Sequence, residues 1–405
     1  MKFKEFITEQ KNTHMTHIED KVIYGGVKGT REAILALRSL RDTLGGVHDG
    51  SVSVKWDGAP AVFAGTDPRD GKFFVAKKGI FNKSPKVYKT NSDVDADTSG
   101  DLNTKMKLAL KHFAGLGIKG VIQGDLLFTK SDLRRSKIKG KQYVTFHPNT
   151  IVYAIPADNA DDLKKAKIGV VWHTTYTGNS FETMKASYGV NVNRLRKTPD
   201  VWQQDAMLRD MSSFSMSKKD TEEVNGYLSQ AGKFFNQISG TTLRELEANP
   251  KLAQMVETFN NTYVRKGEII RNTTQHTNNL IKWINSKFDS ERMARKSPRG
   301  QSAVDQRREE VLKFFSVSNK KSLTIMFELQ KVLVLAKLKL INILNRLNNA
   351  KTFLKTKKGY RTTGQEGYVA IDKLGGDAVK IVDRMEFSFA NFSPNILKGW
   401  DKPGR

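Results

Sequence analysis

Ser51-Val52-Ser53-Val54-Lys55-Trp56-Asp57-Gly58 is the stretch that decides how this chain is read. It alternates strictly. Val52, Val54 and Trp56 fall on one face of an extended strand, and Ser53 and Lys55 on the other. Asp57-Gly58 then turns the chain into a second apolar stretch, 59–64. A lone lysine at a strand end, followed at once by an acidic turn, is where position and reactivity can be combined.

Outward from this point, strand patterns recur at 73–76, 121–128, 168–174, 367–371 and 378–382. A strand pair is expected within 143–155, around His147-Pro148-Asn149. Two helices precede or interrupt them. One carries Ala33, Ile34, Leu37, Leu40 and Leu44 at helical spacing, with Thr30 as its expected cap and Gly45-Gly46 at its end; the other covers 102–113. From about residue 191 to 350 the strand patterns fade and long amphipathic ones take over. The clearest is 323–347, where Ile325, Leu329, Val332, Leu333, Ala336, Leu340, Ile343, Leu344 and Leu347 line one face while Lys331, Lys337, Lys339 and Arg346 lie elsewhere. At the usual rise it is roughly 35–40 Å long. The expected class is α+β: a mixed antiparallel sheet domain, with a large all-α basic insertion. The expected divisions are a polar leader at 1–23, a first strand-rich part at 24–190, the helical insertion at 191–355, and a second strand-rich part with a tail at 356–405.

Composition limits the function. The 405 residues include no cysteine, which excludes disulfides and thiolate metal sites. The apolar runs are short and interrupted by lysines, so no membrane span is expected. The formal net charge is +26. Residues 251–360 hold 23 Lys+Arg against 8 Asp+Glu, more than half of that excess in about a quarter of the chain. Such one-sided charge points to a polyanion, with nucleic acid as the first candidate partner, held through the helical insertion. Residues 290–306, with Arg292, Arg295, Lys296 and Arg299, are expected to form an exposed basic loop.

Four short pieces carry chemistry. In Lys55-Trp56-Asp57-Gly58, a fixed lysine amine with a lowered pKa can attack the α-phosphorus of ATP. Alone, the piece reads equally as a surface lysine before a hairpin. Ile122-Gln123-Gly124-Asp125-Leu126-Leu127 is a strand with one carboxylate. Gln365-Glu366-Gly367-Tyr368-Val369 offers a carboxylate suited to a divalent ion. Ala378-Val379-Lys380-Ile381-Val382 points a lysine away from two apolar neighbours. Read singly, these three are as well explained by strand ends, turns and an edge strand.

Taken in order, Lys-x-Asp-Gly, Gly-Asp-Leu, Glu-Gly-x-Val and a lysine strand resemble motifs I, III, IV and V of the covalent nucleotidyltransferases, the superfamily of ATP-dependent DNA ligases, RNA ligases and capping enzymes. The resemblance covers about 25–180 and 360–385. It implies that Lys55 accepts AMP from ATP with Mg²⁺, that Asp57 and Gly58 lie beside the nucleotide, and that Glu366 and Asp125 place the metal and the ribose. It further implies that Lys380 neutralises the α-phosphate. Thr150-Ile151-Val152-Tyr153-Ala154-Ile155 looks like the intervening motif IIIa, with Tyr153 against the purine. Lys77 or Lys78, in Phe74-Val75-Ala76-Lys77-Lys78-Gly79, would replace the arginine of motif Ia.

The departures are specific. Asp125 stands where glutamate is usual, one methylene shorter. Motif V usually has two lysines one residue apart, but Ala378 and Val382 occupy those offsets around Lys380. No oligonucleotide-binding barrel is expected after motif V, which tilts the reading toward the RNA ligases. A transferase that adenylylates a protein or an RNA end without sealing is the alternative enzyme. A non-catalytic nucleic-acid-binding virion protein is the alternative outside catalysis.

Met1-Lys2-Phe3-Lys4-Glu5-Phe6-Ile7-Thr8-Glu9 resembles the capsid-targeting peptides of T4-type phages, cut after the glutamate, and the surroundings of Lys55 and Lys380 resemble proteins of that phage group. That implies an enzyme of the infected bacterial cytoplasm, or one packaged inside the capsid. An ordinary amphipathic leader fits the same residues. His14 and His17 have metal-friendly spacing but no partner motif, and Gly25-Gly26-Val27-Lys28-Gly29 lacks the end of a phosphate-binding loop and is expected to be a plain loop.

Overall fold

The computed structural model describes residues 17–47, 51–208, 216–347, 350–371 and 378–399. The proposed capsid-targeting peptide and His14 lie outside them. The class is α+β, and most strand pairs are antiparallel.

Among the described residues, fourteen strands form three sheets. The first joins β1 (Ser51–Lys55), β13 (Gly367–Ile371) and β14 (Ala378–Ile381) in the order β1-β13-β14. The second has the order β10-β8-β4-β2-β3, from β2 (Ala61–Thr66), β3 (Phe73–Ala76), β4 (Val121–Thr129), β8 (Ile168–Thr177) and β10 (Val201–Asp205), with β9 (Lys185–Tyr188) on β8. β10 runs parallel to β8, and the remaining pairs are antiparallel. The third has the order β12-β11-β7-β6-β5, from β5 (Arg134–Ile138), β6 (Lys141–Phe146), β7 (Ile151–Pro156), β11 (Lys351–Thr356) and β12 (Gly359–Thr362). Sequence alternation located seven of these strands and the β6–β7 pair, but it missed β5 and β9–β12. β5, β9 and β12 are largely exposed and carry lysine or arginine, so no apolar face betrays them, and β11 buries Thr352, Phe353 and Leu354 in a row without the alternation of a half-buried strand.

Ten longer helices are found among the described residues. α1 (Gly26–Leu44) starts inside the glycine run that sequence reading took for a loop, and Thr30 bonds the Gly26 carbonyl within the helix instead of capping it. α2 (Asn91–Asp97) and α3 (Gly100–Phe113) pack beside the second sheet. The helical region holds α4 (Lys218–Gln237), α5 (Gly240–Ala248), α6 (Pro250–Lys266), α7 (Thr273–Met293), α8 (Pro298–Leu312) and α9 (Lys320–Arg346), and α10 (Arg384–Phe392) follows β14. The expected basic loop at 290–306 is mostly helix. Ser297 caps the Gly300 N–H and Pro298 occupies the first turn, so α8 begins where a loop was expected.

The helical region is not detached from the sheets. One apolar core runs from Ile18, Val22 and Leu37 through Val54, Tyr153 and Tyr368 to Leu333, Leu340 and Leu344. Nor is the leader polar to residue 23: Ile18, Val22 and Ile23 are fully buried. Among the described residues, no helix is long and apolar enough to cross a membrane.

Candidate functional site

The first sheet gathers three of the four motifs. β1 lies antiparallel to β13 with Lys55 opposite Gly367, and β13 lies antiparallel to β14 with Val369 opposite Lys380. Residues more than 300 apart in sequence thereby share one small surface. Lys55 Nζ forms an ion pair with Glu366 Oε1. Burial raises the Glu366 pKa above the usual carboxylate value. The Lys55 charge opposes this, while Asp57 and Asp125 reinforce it. Lys380 lies over the Phe387 ring at 5.7 Å, and its pKa is lowered by burial and then by the Lys55 charge.

The second sheet brings Asp125 up from below. Gly58 explains how: a Cβ there would stand 2.6 Å from Asp125 Cβ and 3.0 Å from the Leu126 carbonyl oxygen. Glycine is required for close approach of the turn to β4, rather than for an unusual backbone angle. Asp125 lies 3.5 Å from His173 Nε2, on the neighbouring strand β8. Gly367 has a similar duty, since a Cβ would meet Val382 Cγ2 at 2.4 Å.

Asp57 is turned away from any ligand. Its carboxylate accepts from Asn149 Nδ2 at 2.6 Å and from the N–H groups of Thr150 at 2.6 Å and Ile151 at 2.7 Å. Its own N–H donates to Tyr153 Oη at 2.7 Å. Asp57 thus clamps the end of β1 to the start of β7. Tyr153 corrects another expectation. It is 0% exposed, stacked on Trp56 at 4.7 Å and on Phe146 at 5.4 Å, and offers no ring face to a purine. Lys77 is held by Asp97 at 2.9 Å, in a group with Lys86 and Tyr88, and Lys78 is exposed. Neither is joined to the Lys55 group by any ion pair or hydrogen bond among the described residues.

The N-terminal segment supplies a part that sequence reading missed. His17 forms a parallel bridge to Lys380, and burial lowers its pKa to about 3, so the ring is neutral. Just behind it, Glu19 is bonded by Lys337 at 2.8 Å and Asp20 by Arg384 at 2.8 Å. Nothing in the spacing of this polar segment marks it as part of the site.

Buried polar atoms usually find partners. Eight side-chain atoms among the described residues do not, and four of the eight belong to residues that adjoin the site in chain, bridge or hydrogen bond: His17 Nδ1 beside Lys380, Trp56 Nε1 after Lys55, Asn149 Oδ1 on the Asp57 clamp and Gln365 Oε1 before Glu366. A cation is a separate question. Among the described residues, no three His, Asp or Glu side chains are grouped as a metal cage. Asp125 and Glu366 fit only a magnesium that takes its other ligands from phosphate and water, and Glu366 is already engaged by Lys55.

The chain matches a family of unknown function (DUF6267) over residues 12–396, nearly its whole length, and it belongs to that family. The match runs unbroken through sheets and helices, in keeping with their common core. No curated protein and no solved structure matches it.

Proposed function

We propose that this protein is an ATP-dependent covalent nucleotidyltransferase of the ligase type, with Lys55 as the residue that takes AMP and a polynucleotide end as the acceptor. The observation that carries the reading is the sheet β1-β13-β14, which sets Lys55 against Glu366 and beside Lys380. A reactive lysine held by a buried carboxylate, next to a second lysine, is suited to phosphoryl chemistry.

In this reading Lys55 Nζ attacks the α-phosphorus. A P–N bond forms, the P–O bond to the β-phosphate breaks, and pyrophosphate leaves. Glu366, a stronger base than an ordinary carboxylate because its pKa is raised, takes the proton from the Lys55 ammonium so that the free amine can attack. Lys380 faces the charge that grows on the α-phosphate. AMP then moves to a 5′-phosphate, and a 3′-hydroxyl displaces it to seal the strand. Asp125, which lies beside His173, would help hold magnesium brought in with ATP, and the metal would supply charge neutralisation at the phosphates. The metal role first given to Glu366 competes with its contact to Lys55.

The test is direct. Incubated with Mg²⁺ and ATP labelled at the α-phosphate, then denatured, the protein should retain label, and Lys55→Ala should not. Absence of label with both ATP and GTP, in protein shown to be folded, removes the reading.

A further inference from the structure

Beyond the reactive lysine, α10 carries an aromatic ridge whose surroundings specify a ligand. The helix buries Ser388 and Ala390 and turns Phe389 and Phe392 outward, 40% and 75% exposed. Scattered apolar residues on a surface need no explanation. These two lie three apart on one helix face, with Met385 beside them in the same groove of about 300 Å³. The other wall of that groove is the C-terminal end of α6, where Arg265 and Lys266 are exposed. On the far side, the Arg361 guanidinium of β12 lies 4.5 Å from the Phe389 centroid while pairing with Glu386 at 2.9 Å. Leu397 N–H donates to the Lys355 carbonyl at 2.9 Å, which docks the β11–β12 hairpin and its exposed Lys357 and Lys358 against the segment after α10.

We infer that this ridge is a stacking platform for single-stranded nucleic acid. Unpaired bases would stack on Phe392 and beside Phe389, and phosphates would meet Arg265 and Lys266, with Arg361 held over Phe389 by its pair to Glu386. Aromatic rings interleaved with cations are the common construction of sequence-tolerant single-strand sites, and the +26 charge of the chain suits a polyanion far better than an apolar protein face. Glu268, the nearest exposed acid on the α6 side, leaves the groove cationic on balance. The basic tip of α7 and α8, favoured by sequence, is less available: Arg292 pairs with Asp305, Arg295 and Arg307 with Glu291, and Arg308 with Asp289. The same helix adjoins the proposed chemistry on another face, where Phe387 lies beneath Lys380. Its role as a strand guide rests on the ligase reading, but its binding does not.

Fluorescence anisotropy with the full chain and labelled 20-nucleotide single strands of RNA and DNA tests it. Phe392→Ala should weaken binding of both strands at least fivefold, and Phe392→Trp should keep it within about twofold. Arg265→Ala with Lys266→Ala should lower the slope of log affinity against log salt by about 1.4. All these positions are exposed, and thermal melts will show that the variants fold. Unchanged binding by Phe392→Ala overturns the proposal, as does duplex bound as tightly as single strand. Self-association that Phe392→Ala abolishes, without strand binding, makes the ridge a protein interface and also overturns it. Strand binding without label from ATP keeps the platform and removes the ligase reading; label without strand binding does the reverse.

Discussion

Asp57 shows how a motif read from spacing can divide its labour. The Lys-x-Asp-Gly spacing pointed to Lys55, and the lysine does stand in a polar, carboxylate-rich site. The aspartate beside it is a clamp, with three bonds to residues more than 90 positions away. No local pattern could reveal that, because the partners meet only after β7 has docked. Asp57→Ala would leave the Thr150 and Ile151 N–H groups buried and unpaired. At roughly 1–3 kcal/mol each, the expected loss is about 2–5 kcal/mol in urea unfolding, with a smaller loss for Asp57→Asn. Equal stability of Asp57→Ala and wild type would contradict the clamp. Glu366 carries the second prediction at this scale. Its raised pKa places its ionised, proton-accepting form above the usual carboxylate range. Label transfer to Lys55 should therefore rise with pH through that elevated value. Glu366→Gln should slow transfer by roughly 10²-fold or more and remove that limb of the profile. A variant as fast as wild type, with the same profile, would leave Glu366 without the role of base.

Among the elements, α9 was the easiest to read and still held the largest surprise. Its apolar face is buried where the spacing predicts, from Leu329 to Leu344. Lys337, assigned to the polar face, is 1% exposed and bonded to both oxygens of Glu19 at 2.8 Å. Periodicity counts apolar residues, so a buried lysine with a buried partner is invisible to it. The partner comes from the segment read as a leader, which is why that segment also looked separable. Burial would raise the Glu19 pKa, but Lys337, His17 and Arg384 together outweigh it and hold the group at about 2. Removing one member of such a pair strands the other charge. Lys337→Met should cost roughly 3–5 kcal/mol, and adding Glu19→Gln should recover most of it. A double variant no better than Lys337→Met would show that the pair does not act as a unit. Lys380 and His17 lie against the same turn, so the single variant should also slow label transfer more than the double.

At the scale of the whole molecule, α+β was legible because strand and helix periods differ sharply between the two regions. Their union was not, since composition shifts suggest boundaries whether or not a core crosses them. Here one core joins Val54 and Tyr368 of the sheets to Leu333 and Leu340 of α9, so a chain lacking 191–355 should fail to fold, and the intact chain should unfold as a unit. Buried histidines then set its acid limit. His276 is 2% exposed, its ring packed against Phe259, Tyr263 and Phe327, with Nε2 2.9 Å from Asn260 Oδ1. Burial lowers its pKa from 6.5 to about 4. Below pH 6.5 the unfolded chain binds a proton that the folded chain refuses, so stability must fall as pH drops from 6.5 toward 4. From these two values, the loss at pH 5 is roughly 2 kcal/mol for this one residue. His17, lowered to about 3, acts in the same direction. Asp20, raised to about 6 by burial, and Asp57 and Glu366, also raised by burial, act in the opposite direction over this window, so the histidine contribution is read by comparing urea unfolding at pH 7 and pH 5 between wild type and variant. In His276→Gln the difference between the two pH values should shrink by about that amount, even if the variant is less stable throughout. Identical pH differences in the two proteins would mean that His276 is protonated or solvated in the folded state, and that the helical region opens to water where the packing of its aromatic rings says it is closed.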